Sequence, residues 1–266
     1  MPFPDSPRVI YQKNPLAEVI CQISFPAILK IDSELPAKYQ EFLRDEYPIF
    51  AEAQSSNVKL NLVPEVAQLM GLPPSLRGGK SIYEFISQDS LWKVTLTRES
   101  FAIQTRAYEK WEDFKAHLNI PLKALRQVYA PTFITRIGLR YQDIIKRSEL
   151  ELEGAEWGDL LKPQIAAELS SPDIANEIIG CMNQIKLSLG DDGSFITLNH
   201  GLETTDKSGD EVCYLIDSDF FTEQKTEVQN VIQKLDEFNR HSGRLFRWCI
   251  ADKLHNALLP VPAAPS

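Results

Sequence analysis

Two hydrophobic periods alternate along this chain: apolar residues at every second position, and apolar residues every third or fourth. The first marks strands and the second marks helices. After the Asn14-Pro15 step, Val19, Cys21 and Ile23 alternate with Ile20, Gln22 and Ser24 until Pro26 closes the run. A first strand is therefore expected between about residues 16 and 31. Ser33 is expected to cap a short helix over residues 34–48, with Tyr39, Phe42 and Leu43 as its apolar stripe and Pro48 as its end. Residues 58–64 read as a strand, and residues 64–80, rich in Gly and Pro, as a loop.

A meander follows. "SIYEFISQD", "LWKVTLTRE" and "FAIQTRAY" are three β-rich runs separated by short polar steps. The segment 109–129 then turns helical, with Trp111, Phe114, Leu118, Leu122, Leu125 and Val128 on one face. Pro121 lies inside it and is expected to kink or restart the helix, with Asn119 as a candidate cap. "TFITRIGLRYQDII" is a long strand. The second half repeats this order with "EIIGCMNQIKLSLG", "SFITLNHGLET" and "VCYLIDSDFF", the first two joined by the turn "GDDG". A long helix is expected over residues 223–259, with a bend at Gly243. The fold class is α+β: two antiparallel meanders, each backed by a long helix, in a pseudo-duplicated single domain. Its parts are an N-terminal half over 1–145, a C-terminal half over 146–259 and a disordered tail over 260–266. Whether the two sheets join into one is left open by the pattern.

Charge sharpens this outline. The net charge of −9 argues against non-specific binding of nucleic acid, which would enter only through a partner. Yet residues 91–140 hold nine Lys and Arg against four Asp and Glu, while residues 141–266 hold eleven against twenty-two. Strand alternation places Arg136, Gly138, Arg140 and Gln142 on one face, opposite Phe133, Ile137, Leu139 and Tyr141. Gln104, Arg106 and Tyr108 share a face of a neighbouring strand. Arg106, Arg136 and Arg140 thus form a candidate anion site, because guanidinium forks fit carboxylates and phosphates. The same face, paired with acids of the second half, is the competing description.

Catalytic patterns are missing. No GxSxG, P-loop, GxGxxG or HExxH occurs, and the four cysteines are far apart without a CxxC. No cofactor is expected, and the chain leans away from enzymes. Asp217 and Asp219, two apart on one strand face, are weak candidates for a metal. No apolar run is long enough to cross a membrane and no signal peptide is expected, so the chain is placed in the cytoplasm, with its thiols reduced. Arg244 and Trp248, near the end of the last helix, are candidate interface residues. Asn14 and Pro15 are expected to form a structural turn, with Glu18 facing the basic strands and pairing with Arg136 or Arg140.

The blocks "YQKNPLAEVICQISFP", "PAKYQEFLRDEYP", "WKVTLTRESFAIQTRAYEKWEDF", "YAPTFITRIGLRYQDII", "LIDSDFF" and "LFRWCIADKL" resemble, in order and over nearly the whole chain, a sporadically distributed family of uncharacterised bacterial proteins. The resemblance carries no activity, cofactor or catalytic residue. Its scattered distribution implies an accessory component of a mobile multi-component system, such as phage defence or toxin–antitoxin. Pro121 departs from the family's continuous helix. The first expectation is therefore a non-enzymatic, partner-binding accessory protein. The alternatives are a small-molecule or nucleotide-phosphate binder using the basic face, and a nucleic-acid-binding subunit.

Overall fold

The computed structural model describes residues 2–55, 80–190, 193–204 and 211–263. Nine strands form one antiparallel sheet: β2 (Leu16–Ser24), β3 (Ile49–Ser55), β4 (Lys80–Ile86), β5 (Trp92–Thr97), β6 (Ser100–Thr105), β7 (Arg136–Ile145), β8 (Met182–Ser188), β9 (Ser194–Thr204) and β10 (Val212–Thr222). Their spatial order is β3-β4-β5-β6-β2-β7-β10-β9-β8. The two meanders are thus one sheet, joined at its centre by the β2–β7 pair. Both central strands, β2 and β7, belong to residues 1–145, and the second half adds the meander β8–β10 and a long helix, so the α+β class holds. Strand β7, which ends at Ile145, pairs with β10, so the sheet includes strands from both sides of that residue.

Period-two alternation decides what each sheet face carries. On one face Val19, Cys21, Ile23, Phe101, Ile103, Ile137, Leu139, Ile196 and Leu198 are fully buried. The helices pack there. Helices α1 (Lys30–Ser33) and α2 (Ala37–Leu43) precede the meander, and α3 (Trp111–Val128) follows it. Short helices α4 (Trp157–Leu160) and α5 (Pro163–Ala166) lie between the halves, and α6 (Val231–Cys249) and α7 (Asp252–Ala257) close the chain. The two long helices share the face: Trp111 Nε1 and Lys115 Nζ, both on α3, donate to Asp236 Oδ1 of α6 at 2.6 and 3.0 Å. Among the described elements none covers the opposite face.

Several expectations change. The strand opening the domain ends at Ser24, and Ser33 closes α1 rather than capping α2. Phe42 of the expected stripe is 38% exposed, while Tyr39 and Leu43 are fully buried. Helix α3 runs unbroken through Pro121. A helix-interior proline costs roughly 3 kcal/mol, and here the loss is offset by packing: Leu118, Leu122, Ala124 and Leu125 are buried around it, and the Tyr39 hydroxyl donates to the Pro121 carbonyl at 3.4 Å. The expected final helix is two helices. Ile250 between them is extended and bridges Leu161, while Cys249 and Leu160 exchange backbone bonds with the opposing segment, so tertiary pairing interrupts the helical period. The tail is not wholly irregular: β11 (Pro260–Pro262) pairs with β1 (Val9–Tyr11). The expected strand and loop at 58–79, and Asp191 and Asp192 of the turn, lie outside the described residues. No helix among the described residues is long and apolar enough to cross a membrane.

Phe101→Ala, in the centre of this layer, should cost about 3–5 kcal/mol in chemical denaturation. Phe42→Ala should cost less than about 1 kcal/mol. Equal losses would contradict this assignment of the core.

Candidate functional site

The three arginines of the open face lie where alternation put them, with acids beside them. Arg140 grips Asp217 with both fork nitrogens, at 2.7 and 2.6 Å. Arg136 donates to Asp219 at 2.8 Å and to Gln22 at 3.2 Å, and its guanidinium lies over the Phe221 ring. Arg106 is 74% exposed on its side chain and reaches Glu18 at 3.6 Å. Glu18 also accepts from Gln104 at 3.1 Å. It therefore pairs with Arg106 and not with Arg136 or Arg140, because β10 brings Asp217 and Asp219 alongside β7 and those acids take the two forks. The hydrogen bonds that Arg140 donates to Asp217 hold its charge firmly, raising its pKa, while burial raises that of Asp219. Asp217 and Asp219 each serve a guanidinium, and among the described residues no group of three metal-ligating side chains is placed together.

The opening segment is an arm lashed across the helix layer. Asn14 Oδ1 accepts from the backbone N–H of Leu16 at 3.1 Å, closing its own turn, and its Nδ2 donates to the Tyr108 carbonyl at 2.8 Å. The Pro15 carbonyl accepts from the Ile144 N–H at 2.9 Å, so the turn feeds directly into the sheet. A bulge at Ala17 follows, where Leu16 pairs with Asp143 and Glu18 with Gln142. Further out, Tyr11 and the His255 ring share a hydrogen bond at 2.9 Å, and Arg8 pairs with Glu112 at 2.8 Å. Arg244 pairs with Asp5, and Trp248 packs its ring on Phe3. The two candidate interface residues thus contact the chain's own arm.

Beneath this arm lies a cavity of about 570 Å³. Its floor is the helix-side face of β7 and β10, with Tyr141, Asp143, Ile216 and Ser218. Its walls are α6 and the start of α3. Asn239 of α6 donates its amide to the Tyr141 hydroxyl at 2.9 Å and to the Tyr108 hydroxyl at 3.4 Å, which fixes both phenols. Asp143 is 6% exposed, its side chain has no hydrogen bond or ion pair with a described residue, and its carboxyl oxygens are not sealed from the cavity. Burial, reinforced by the nearby negative charge of Asp217, pushes its pKa up to about 8. The carboxyl is thus mostly neutral at pH 7 and gains or loses its proton near neutrality. Ser218, 3% exposed on the same floor, has no base hydrogen-bonded to its hydroxyl. The arrangement is therefore equipped to bind and to exchange a proton, and it has no nucleophile–base pair.

Asp143, Ser218, Tyr141 and Asn239 were not singled out from the sequence. The signal was present for Asp143: continued alternation along "RIGLRYQDII" puts it on the apolar side with Ile137, Leu139 and Tyr141. A carboxyl there is costly unless it is used. Compared with known proteins, the chain matches no family model, no curated protein and no solved structure.

The neutral carboxyl has a signature in stability. Below about pH 4 Asp143 is protonated in folded and unfolded chains alike. Between the usual 3.8 and about 8 the unfolded chain releases the proton and the folded chain keeps it. Its contribution therefore falls as pH rises, by up to about 1.4 kcal/mol per pH unit, and levels off above 8. Asp143→Asn should melt higher than the parent by a margin that widens from pH 5 to pH 8. A margin independent of pH would contradict a neutral Asp143.

Proposed function

We propose that this protein is a non-catalytic, cytoplasmic binding protein for a small molecule, which it holds in the cavity between the N-terminal arm, α6 and the β7–β10 floor. One observation carries the reading: a buried carboxyl without a partner opens into a cavity large enough for a metabolite-sized ligand. An unpaired buried polar group costs stability, and a ligand that satisfies it returns that cost as affinity. The pre-set phenols and the Asn239 amide add a rigid, mixed polar and aromatic lining, as small-molecule sites commonly have.

The other expectations find less support. The basic face is largely neutralised by Asp217, Asp219 and Glu18, which weakens it as an anion or nucleic-acid surface. Arg244 and Trp248 engage Asp5 and Phe3, which weakens them as partner contacts. The family resemblance is compatible with a ligand-sensing member of a mobile bacterial system, and we keep that assignment as part of the proposal. Cys21, Cys213 and Cys249 are buried and in no disulfide among the described residues, which suits a reducing compartment.

Gly243 provides the test. It lines the cavity from α6, and a Cβ added there would meet no atom within 4 Å. Gly243→Trp should keep the fold and obstruct the cavity. A metabolite and fragment library read by thermal shift should yield compounds that raise the melting temperature of the parent and not of the variant. Failure of every compound on the parent, or equal shifts in both proteins, would overturn the reading.

A further inference from the structure

The charged lining of the cavity is unevenly satisfied. Arg8, Lys110, Lys115, Arg244 and Arg247 each have an acid within ion-pair distance. Arg240, exposed on α6 where it lines the cavity, has no ion pair with a described residue. At the deep end Asp143 is likewise without a partner. Six basic residues line the cavity against four acidic ones, in a chain of net charge −9. The two groups come from different elements, Asp143 from β7 and Arg240 from α6. Asp143 sits near Tyr11, whose ring packs on Phe246 at 5.5 Å. Arg240 is six residues before Phe246 on the same helix.

Resting on the reading that the cavity takes a small molecule, we propose that its ligand is zwitterionic: a cationic nitrogen seats on Asp143, and an anionic group is held by Arg240. Each end is a group without an ion pair to a described residue. Tyr11, Tyr108 and Tyr141 flank the deep end, and aromatic faces beside a carboxylate favour cations. At pH 7 the carboxyl gives its proton to solvent as the cation arrives, so binding converts a neutral acid into a buried ion pair and releases close to one proton.

Isothermal titration of the full chain with aminooctanoate, octylamine and octanoate tests this. Each is measured at pH 7 in two buffers of different ionisation enthalpy. Aminooctanoate should bind at least about tenfold tighter than either single-ended analogue, with release of close to one proton. Arg240→Ala should erase its advantage over octylamine. Asp143→Asn, which keeps the shape of the floor, should erase the proton release and the advantage over octanoate. Equal affinity of the three compounds, binding without proton release, or unchanged binding by Asp143→Asn would overturn the proposal. If none of the three binds while library compounds occupy the cavity, the zwitterionic ligand is wrong and the small-molecule reading stands. If nothing binds in either experiment, both fall.

Discussion

The pairing of β2 with β7 at the middle of the sheet sets everything else. Val19 lies opposite Tyr141 and Ile20 opposite Arg140. This register points Val19, Cys21, Ile23, Ile137 and Leu139 into the helix layer, all fully buried. A slip of one residue would drive Arg136 and Arg140 into that core and expel the apolar set. Burying two guanidiniums without partners is prohibitive, so the register is fixed by what cannot be buried as much as by what can. The same phase leaves Arg136 and Arg140 on the open face, where β10 supplies Asp219 and Asp217. It also turns Tyr141 and Asp143 toward the helices, which makes the floor of the cavity.

Why that floor is not filled follows from the residues above it. Helix α6 lines the cavity with Asn239, Ser242 and Gly243 as well as Leu245 and Phe246, so small and polar groups take some of the positions where a core-forming helix would place large apolar ones. The arm enters through the Asn14-Pro15 turn and the bulge beside Leu16, so it crosses over the sheet end instead of packing down on it. Asp236, held by Trp111 and Lys115, ties the two helical walls together. The void is thus bounded by hydrogen-bonded elements on each side, the condition for a site that pays little to organise when a ligand arrives.

Much of the fold was legible because its period is regular. The six meander strands, β7 and both long helices follow from alternation and amphipathic spacing in the sequence. What escaped was set by tertiary contacts. Ile250 has helical neighbours on both sides, but its bridge to Leu161 breaks the helix there. Pro260–Pro262 looks like an irregular tail and becomes a strand only because Val9–Tyr11 lies beside it. The basic face was read correctly as a face, while its partners came from a strand about eighty residues away. The cavity was invisible because no motif marks it: Asp143, Tyr141, Ser218 and Asn239 come from three elements and meet only in the fold. The one local clue was an aspartate in the apolar phase of β7.

The central claim is that Asp143 faces a cavity as a neutral acid awaiting a charged or hydrogen-bonding partner. Its carboxyl carbon, followed by NMR in the ligand-free protein and assigned with Asp143→Asn, reports this directly. A titration midpoint near 8 would support the account. A midpoint near the ordinary aspartate value of about 4 would show that water or a charge already satisfies the group, and would contradict it.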